Sequence, residues 1–197
     1  MLNRNAFADF LRQSLVGVKV LLVMTVVLGV LYPAAVWGVG QVAFHDRSNG
    51  QVVAAGGEDR GSRLIGQDFP VDAPEWFHGR PSAVDYDGLG SAASNLGPSN
   101  PDLLAAIEER QAAVAEADGV SVSEIPADAV TASASGLDPY ISPDYAAIQV
   151  ERVARERELP VQVVRELVAD ASSGRQLGFL GQPKVNVLEL NLALARR

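Results

Sequence analysis

The chain has 197 residues, of which 48% are hydrophobic and 6% aromatic, and it carries a net charge of −8 with no cysteine. This charge disfavours a nucleic acid as partner, because binding to a phosphate backbone needs clustered Lys and Arg. The lack of cysteine excludes disulfides, Fe–S clusters, cysteine-ligated zinc and thiol nucleophiles. With so few aromatic residues, we expect a core built mainly from Val, Leu, Ile and Ala.

The segment 20–44 contains no charged residue and predicts one transmembrane helix near the N-terminus. A helix of that length is roughly 37 Å long, which is enough to cross a hydrocarbon core of about 30 Å. Pro33 is tolerated there as a kink, because neighbouring helices can satisfy the freed carbonyl. A cleaved signal peptide is the weaker alternative, since its apolar region is only about 7–15 residues long.

Basic residues around the span predict its orientation. Three precede it and one follows within the next fifteen residues: Arg4, Arg12 and Lys19, then Arg47. The positive-inside rule places residues 1–19 in the cytoplasm and residues 45–197 outside. We therefore expect a single-pass protein of the cell membrane with an outward-facing domain.

Small residues on one side of the predicted span mark a candidate face for a partner helix. Close packing of small residues drives helix association in lipid, where apolar side chains gain nothing by leaving the lipid tails. The predicted partner face consists of Thr25, Gly29, Tyr32, Pro33, Val36 and Gly40.

The region 45–197 reads as a mixed α/β (α+β) soluble domain with a small sheet. Because the whole chain carries −8 and residues 1–44 carry +2, this region carries −10. We interpret that charge as a solvated acidic surface, with cation enrichment near a transport entrance as the alternative. Three helices are predicted, starting at Pro101 and Pro143 and covering about 160–170. Strands are predicted at 62–66 and 184–194, the second with a bulge near Val187.

The domain offers few groups for catalysis. Its two histidines, His45 and His78, lie too far apart in sequence for a metal-binding motif. A hydrolase could be drawn from His78, Ser82 and Asp85, but no G-x-S-x-G turn surrounds a serine. There is also no G-x-x-x-x-G-K-[ST] phosphate loop. We therefore predict no catalytic and no metal-ligating residues, and interpret His78 as a histidine in a loop.

Two segments rich in turn-forming residues are candidate docking loops. Rigid loops often carry binding functions, whereas the alternative is that each segment merely leads into a helix. The candidate residues are Ser94, Asn95, Gly97, Ser99 and Asn100 in the first segment and Ser133, Ser135, Gly136 and Asp138 in the second.

Several motifs in a fixed order resemble the C subunit of the Kdp potassium-transporting ATPase. They are GSRLIGQ at 61–67, WFHGRPS at 76–82, the turn-rich segment 94–101, VTASASGLDPYISP at 130–143, AAIQV at 146–150, LGFLG at 177–181 and VNVL at 185–188. The resemblance covers nearly the whole chain, including Tyr32-Pro33 in the span. Tyr140 departs from the pattern, because members of this family usually carry His there, so a proton-linked role at that position is not expected.

The resemblance implies an accessory, non-catalytic subunit of a high-affinity potassium uptake complex. Its partners would be a channel-like A subunit, a P-type B subunit that binds ATP, and a small F subunit. The family is described as a catalytic chaperone that raises the ATP affinity of the B subunit. We expect no cofactor bound directly by this chain, because ATP is cytoplasmic and the predicted domain lies outside. The alternatives are a membrane-anchored outer-face hydrolase and an anchored binding protein.

Overall fold

A computed structural model describes residues 4–197 and divides the chain into two compact units, the first ending at Gly50 and the second running from Gln51 to Arg197. The described part of the first unit is mostly helical. It contains α1 (Arg4–Val26), a π-helical segment (Val27–Leu31), α2 (Tyr32–Ala43) and the short α3 (His45–Ser48).

The predicted span is confirmed as a helix long and apolar enough to cross a membrane. The qualifying helix covers Phe7–Ala43, with a mean hydropathy of 2.5 in its most apolar window and no part of that window buried by the rest of the protein. It therefore begins well before the predicted start at residue 20. The rest of the protein therefore leaves the apolar surface of that window uncovered.

Pro33 explains the π-helical segment. Proline lacks the backbone N–H and its ring clashes with the carbonyl four residues earlier, here that of Gly29. The chain responds with a wider turn, in which the Tyr32 N–H bonds to the carbonyl of Val27, five residues back. The predicted kink is thus realised as a π-bulge, one of the known ways for a helix to accommodate such a break.

The second unit is a mixed helix and sheet domain, as predicted. It opens with an antiparallel hairpin, β1 (Val52–Ala55) and β2 (Glu58–Ser62), with a bulge between Val53 and Ala54. No helix or strand is assigned between residues 63 and 100. The later elements are α4 (Pro101–Asp118), a 3₁₀ turn (Val122–Glu124), α5 (Ala127–Val130), β3 (Tyr140–Ile141), α6 (Pro143–Glu156), α7 (Val161–Asp170), β4 (Ser172–Ser173), β5 (Lys184–Asn186) and α8 (Val187–Leu194).

The three predicted helices are confirmed, and their starts follow the expected capping chemistry. The side chain of Asn100 accepts a hydrogen bond from the Asp102 N–H at 2.8 Å, and that of Ser142 accepts one from Tyr145 at 3.0 Å. Each cap satisfies a backbone donor that the first helical turn leaves free. Gly119, in the left-handed conformation, ends α4.

Both predicted strands are wrong in extent. Residues 62–66 mostly form a turn, and the strand before them, β2, is too polar to show an alternating pattern. The strand predicted over 184–194 ends at Asn186, where the chain turns into α8. Asn186 caps that helix by accepting a 3.0 Å hydrogen bond from the Glu189 N–H, so the inferred bulge is in fact a helix start.

The three-stranded antiparallel sheet has β5 at its centre, paired with β3 on one side and β4 on the other. Helices α6, α7 and α8 pack with it around a core that is mostly aliphatic, as predicted, with Phe77 and Tyr145 as its aromatic members. Phe77 comes from the irregular segment and is fully buried. That segment is therefore fixed to the core.

Candidate functional site

The second candidate docking loop, residues 131–138, is held by the segment 80–92. Arg80 contacts Asp138 at 3.2 Å and also donates to the carbonyls of Thr131 and Ala132. Ser82 donates to the Gly136 carbonyl at 2.7 Å, and Ser91 to the Ser135 carbonyl at 3.0 Å. Ser133, which is buried, also accepts a hydrogen bond from the Gly136 N–H at 2.8 Å. The loop is therefore a fixed surface.

Position 136 requires glycine because of its backbone conformation and because there is no room for a side chain. Its φ is +69°, a region that side chains other than glycine rarely adopt. A Cβ there would lie 2.5 Å from Cγ2 of Val84 and 2.8 Å from the carbonyl oxygen of Ala92. The close approach of segments 80–92 and 131–138 thus depends on this glycine.

The first candidate docking loop is different in kind. Ser94, Asn95, Gly97 and Ser99 are exposed, and Asn100 serves as the cap of α4. Within the described part of the chain, no side-chain hydrogen bond joins residues 94–99 to residues 131–138. Asn100 is therefore explained by its role as the N-cap of α4. Docking of a partner by either loop stays a prediction.

Tyr140 has a structural partner. The ammonium of Lys184, on the neighbouring strand β5, lies 3.5 Å from the centroid of the Tyr140 ring. A cation over an aromatic face is attracted by the negative charge density of the ring. The aromatic ring at this position therefore supports the pairing of β3 with β5.

A buried polar network, which the sequence analysis missed, centres on Arg152 in α6. Its side chain is 2% exposed and donates to Asp118 at 2.7 Å, to Gln149 at 2.8 Å and to two backbone carbonyls, those of Pro74 at 2.5 Å and Trp76 at 2.9 Å. The guanidinium therefore fixes α4 and the irregular segment to α6. Burial raises the pKa of Asp118, and its hydrogen bond to Arg152 offsets part of that rise.

His78 belongs to this network, and none of its hydrogen bonds within the described part of the chain goes to Ser82. Its backbone N–H donates to Gln149 at 2.7 Å, its Nδ1 lies 3.4 Å from the Arg152 guanidinium and its Nε2 lies 3.4 Å from the carbonyl of Ala73. Burial and, secondarily, the Arg152 charge lower the pKa of His78 to about 4. It is thus a buried, neutral histidine at physiological pH, more enclosed than the predicted loop histidine.

The hydrolase arrangement drawn from the sequence does not form. The Ser82 hydroxyl donates to the carbonyl of Gly136 and accepts from the N–H groups of Val84 and Tyr86, each at 3.1 Å. A serine nucleophile needs a base within hydrogen-bond reach of its hydroxyl. Here that hydroxyl is used to hold two loops together.

A cavity of about 280 Å³ lies between the irregular segment and α4. It is slightly below the range of about 300–1,000 Å³ usual for small-molecule sites. Its polar lining mixes signs, with Asp68, Asp85 and Asp118 beside Arg80 and Arg110. Both arginines already have partners, in Asp138 and in the carbonyl of Val130.

The predicted membrane partner face is altered by the π-bulge. An i→i+5 turn holds one residue more than an α turn, so side chains beyond it are rotated back by about 100° relative to an unbroken helix. The face that starts at Thr25 and Gly29 then continues through Pro33, Trp37 and Gly40. Tyr32 and Val36 move towards its flanks. Beside Gly29 the only nearby atom is Cγ2 of Thr25, 3.8 Å from where a Cβ would lie, so the face is open there.

The family model described as K+-transporting ATPase, c chain, abbreviated KdpC, matches residues 14–196. The chain belongs to the KdpC family. A relative named potassium-transporting ATPase KdpC subunit, from Kineococcus radiotolerans, is 55% identical over 96% of this chain and 96% of its own length. Proteins of the same name from Ralstonia nicotianae and Methylococcus capsulatus are 53% and 51% identical, over 87% and 88% of this chain and 84% and 92% of their own.

The KdpC match includes the candidate membrane helix from residue 14 and the second unit up to Arg196. The resemblance stated from the motifs is therefore confirmed. Within this KdpC chain, the motif WFHGRPS contributes to the Arg152 network through Trp76 and His78, and to the 131–138 loop through Arg80 and Ser82.

Proposed function

We propose that the chain is the accessory KdpC subunit of an ATP-driven potassium uptake complex and catalyses no reaction of its own. The observation that carries this proposal is the family match over residues 14–196, together with relatives of matching length named as KdpC subunits of a potassium-transporting ATPase. Its partners in that complex are a channel-like A subunit, a P-type B subunit and a small F subunit, which the family resemblance supplies.

The proposed topology puts residues 1–19 in the cytoplasm, residues 20–44 in the cell membrane and residues 45–197 outside. The charge bias around the span supports it. A reporter that fluoresces only in the cytoplasm, fused after Arg197, should stay dark. A bright fusion protein would show that the C-terminus lies in the cytoplasm, and it would not affect the family membership.

In this proposal the subunit raises the ATP affinity of the B subunit without binding ATP itself. The cavity supports this view, because the carboxylates of Asp68 and Asp85 would repel a triphosphate and its arginines are engaged. Coupling would then run through the membrane helix or through the assembled conformation of the complex. Such coupling needs two states of the complex that the subunit binds with different affinity.

Two titrations test the ATP proposal. Calorimetry of the purified full chain with MgATP should show no stoichiometric binding at micromolar concentration. The KM for ATP of the A–B complex should fall when the chain is added. Tight ATP binding by the isolated chain, or an unchanged KM, would contradict the proposed role.

A further inference from the structure

A short loop between β4 and β5, residues 175–181, forms a tight projecting turn. Gln176 and Leu180 exchange two backbone hydrogen bonds, each 2.9 Å long, and so close the turn. Leu177, Gly178 and Phe179 occupy its tip. We call residues 175–181 the tip loop.

The tip loop exposes large apolar side chains that the rest of the domain does not cover. Leu177 is 83% exposed, Phe179 69% and Leu180 49%. Single exposed apolar residues are common on protein surfaces, but three in one turn form a patch of the kind that marks a membrane or protein contact.

The backbone at the tip is strained at Leu177, one of the exposed apolar residues. Leu177 has φ +54°, in the left-handed region that glycine and asparagine prefer. A leucine there costs conformational energy, and residues held in such conformations cluster at functional sites. The strain serves no packing purpose within the domain, because the Leu177 side chain points into solvent.

The charge around the tip loop is opposite to that of the domain. Residues 171–188 contain Arg175 and Lys184 and no acidic residue, in a region that otherwise carries a large negative charge. Basic residues beside Phe and Leu are the composition of segments that lie in the interface of an anionic bilayer.

The short linker between the candidate membrane helix and the second unit makes the bilayer a candidate contact surface for the tip loop. About seven residues separate the end of α2 at Ala43 from the start of the second unit at Gln51, so the linker spans at most about 25 Å when extended. If the helix spans a bilayer, a linker this short limits how far the second unit can move from the lipid surface.

We propose that the tip loop inserts Leu177, Phe179 and Leu180 into the interface of the membrane that holds the span, with Arg175 beside the anionic headgroups. This contact gives the second unit a lipid attachment in addition to its helix. It requires neither the orientation nor the partner subunits of the proposed function, so the two can fail separately.

The chain has no native cysteine, which allows a test with single introduced cysteines carrying an environment-sensitive fluorophore. Gln182→Cys places the label beside the intact tip loop. Gly88→Cys places it beside Leu89, which is fully exposed but follows Asp87, and a Cβ at residue 88 meets no atom within 4 Å. Both full chains are placed in nanodiscs of phosphatidylethanolamine and phosphatidylglycerol that contain nitroxide-labelled lipid.

We expect severalfold stronger lipid quenching at residue 182 than at residue 88. That difference should disappear with Phe179→Ser and weaken with Arg175→Glu or in pure phosphatidylcholine. Equal access of a water-soluble quencher to both labels would overturn the proposal. So would a label at residue 182 that becomes protected only when partner subunits are added, because the tip loop would then be a protein contact.

Discussion

Replacing Arg152 by Met should destabilise the second unit more than any substitution of an exposed charge. Methionine fills similar space but removes every donor that the guanidinium supplies. Asp118, whose side chain is 3% exposed, then loses its only ion-pair partner among the described residues. The carbonyls of Pro74 and Trp76 lose their hydrogen bonds as well.

The size of the loss follows from burial. Removing one member of a buried ion pair costs about 3–5 kcal/mol, because the remaining charge stays buried without compensation. That is a large part of a typical domain stability of about 5–15 kcal/mol. At about 2–4 °C per kcal/mol for a domain of this size, the melting temperature should fall by roughly 6–20 °C.

The assay is thermal and urea unfolding of the full chain in detergent, followed by the fluorescence of Trp76 in a Trp37→Phe background. Trp76 is a local reporter, since its carbonyl is bound by Arg152. Arg165→Met is the matched control. Its ion pair with Glu151 is 3.4 Å long between side chains that are 59% and 69% exposed, and such pairs contribute about 0–1 kcal/mol.

Equal stability of the Arg152→Met and Arg165→Met variants would refute the reasoning that the buried network holds the domain together. The double variant Arg152→Met/Asp118→Asn provides a further check. It removes the unpaired charge, so it should recover part of the lost stability. A double variant less stable than Arg152→Met alone would assign the loss to packing.

Three further predictions follow from the same contacts. The pKa of His78 is about 4 in the folded chain and about 6.5 in the unfolded chain, so the unfolded chain takes up a proton at higher pH. The free energy of unfolding should therefore decrease by about 1.4 kcal/mol for each pH unit as the pH falls from about 6.5 to 4. In unfolding experiments at several pH values, His78→Asn should remove this slope. Gly136→Ala should lower stability by more than about 1 kcal/mol, whereas Gly97→Ala, where the backbone is unstrained and open, should change it little in the same melts. Gly29→Leu should reduce the recovery of partner subunits from membranes, because the leucine side chain would separate packed helices. Ala35→Leu, on the opposite side of the helix, should not reduce it. Equal recovery with both variants would show that the Gly29 face is not an interface.

Helix starts could be predicted from the sequence because their chemistry is local. An N-cap residue followed by proline fixes the first turn wherever it occurs, so Asn100 and Ser142 were sufficient. The transmembrane helix was predictable for a similar reason, since length and lack of charge decide it. Its π-bulge was not, because Pro33 permits several local adjustments.

The C-terminal helix was missed because two periods compete there. Leu188, Leu190, Leu192 and Leu194 alternate as in a strand, but only the first, second and fourth are buried. The decisive signal was Asn186 followed three residues later by Glu189, which is a helix start. The leucine alternation alone favours a strand, whereas the cap favours the helix that forms.

The Arg152 network could not be read from charge alone, since Glu151-Arg152 resembles an ordinary solvated pair. Helical position carried the missing information. Gln149 and Arg152 share the buried side of α6 with Tyr145 and Val153, so polar residues within an apolar stripe were the signal. Asp118, the ion-pair partner of Arg152, lies 34 positions away, and only the tertiary fold brings the two together.

We propose above that this chain works as the KdpC subunit of a potassium-transporting ATPase. The most direct measurement is the ATPase activity that co-purifies with an affinity-tagged full chain from mild-detergent extracts of its own cells, grown at low potassium. The expected result is ATP hydrolysis stimulated by potassium, in a fraction that also contains the A and B subunits. A chain recovered alone, with no potassium-stimulated hydrolysis, would contradict the account.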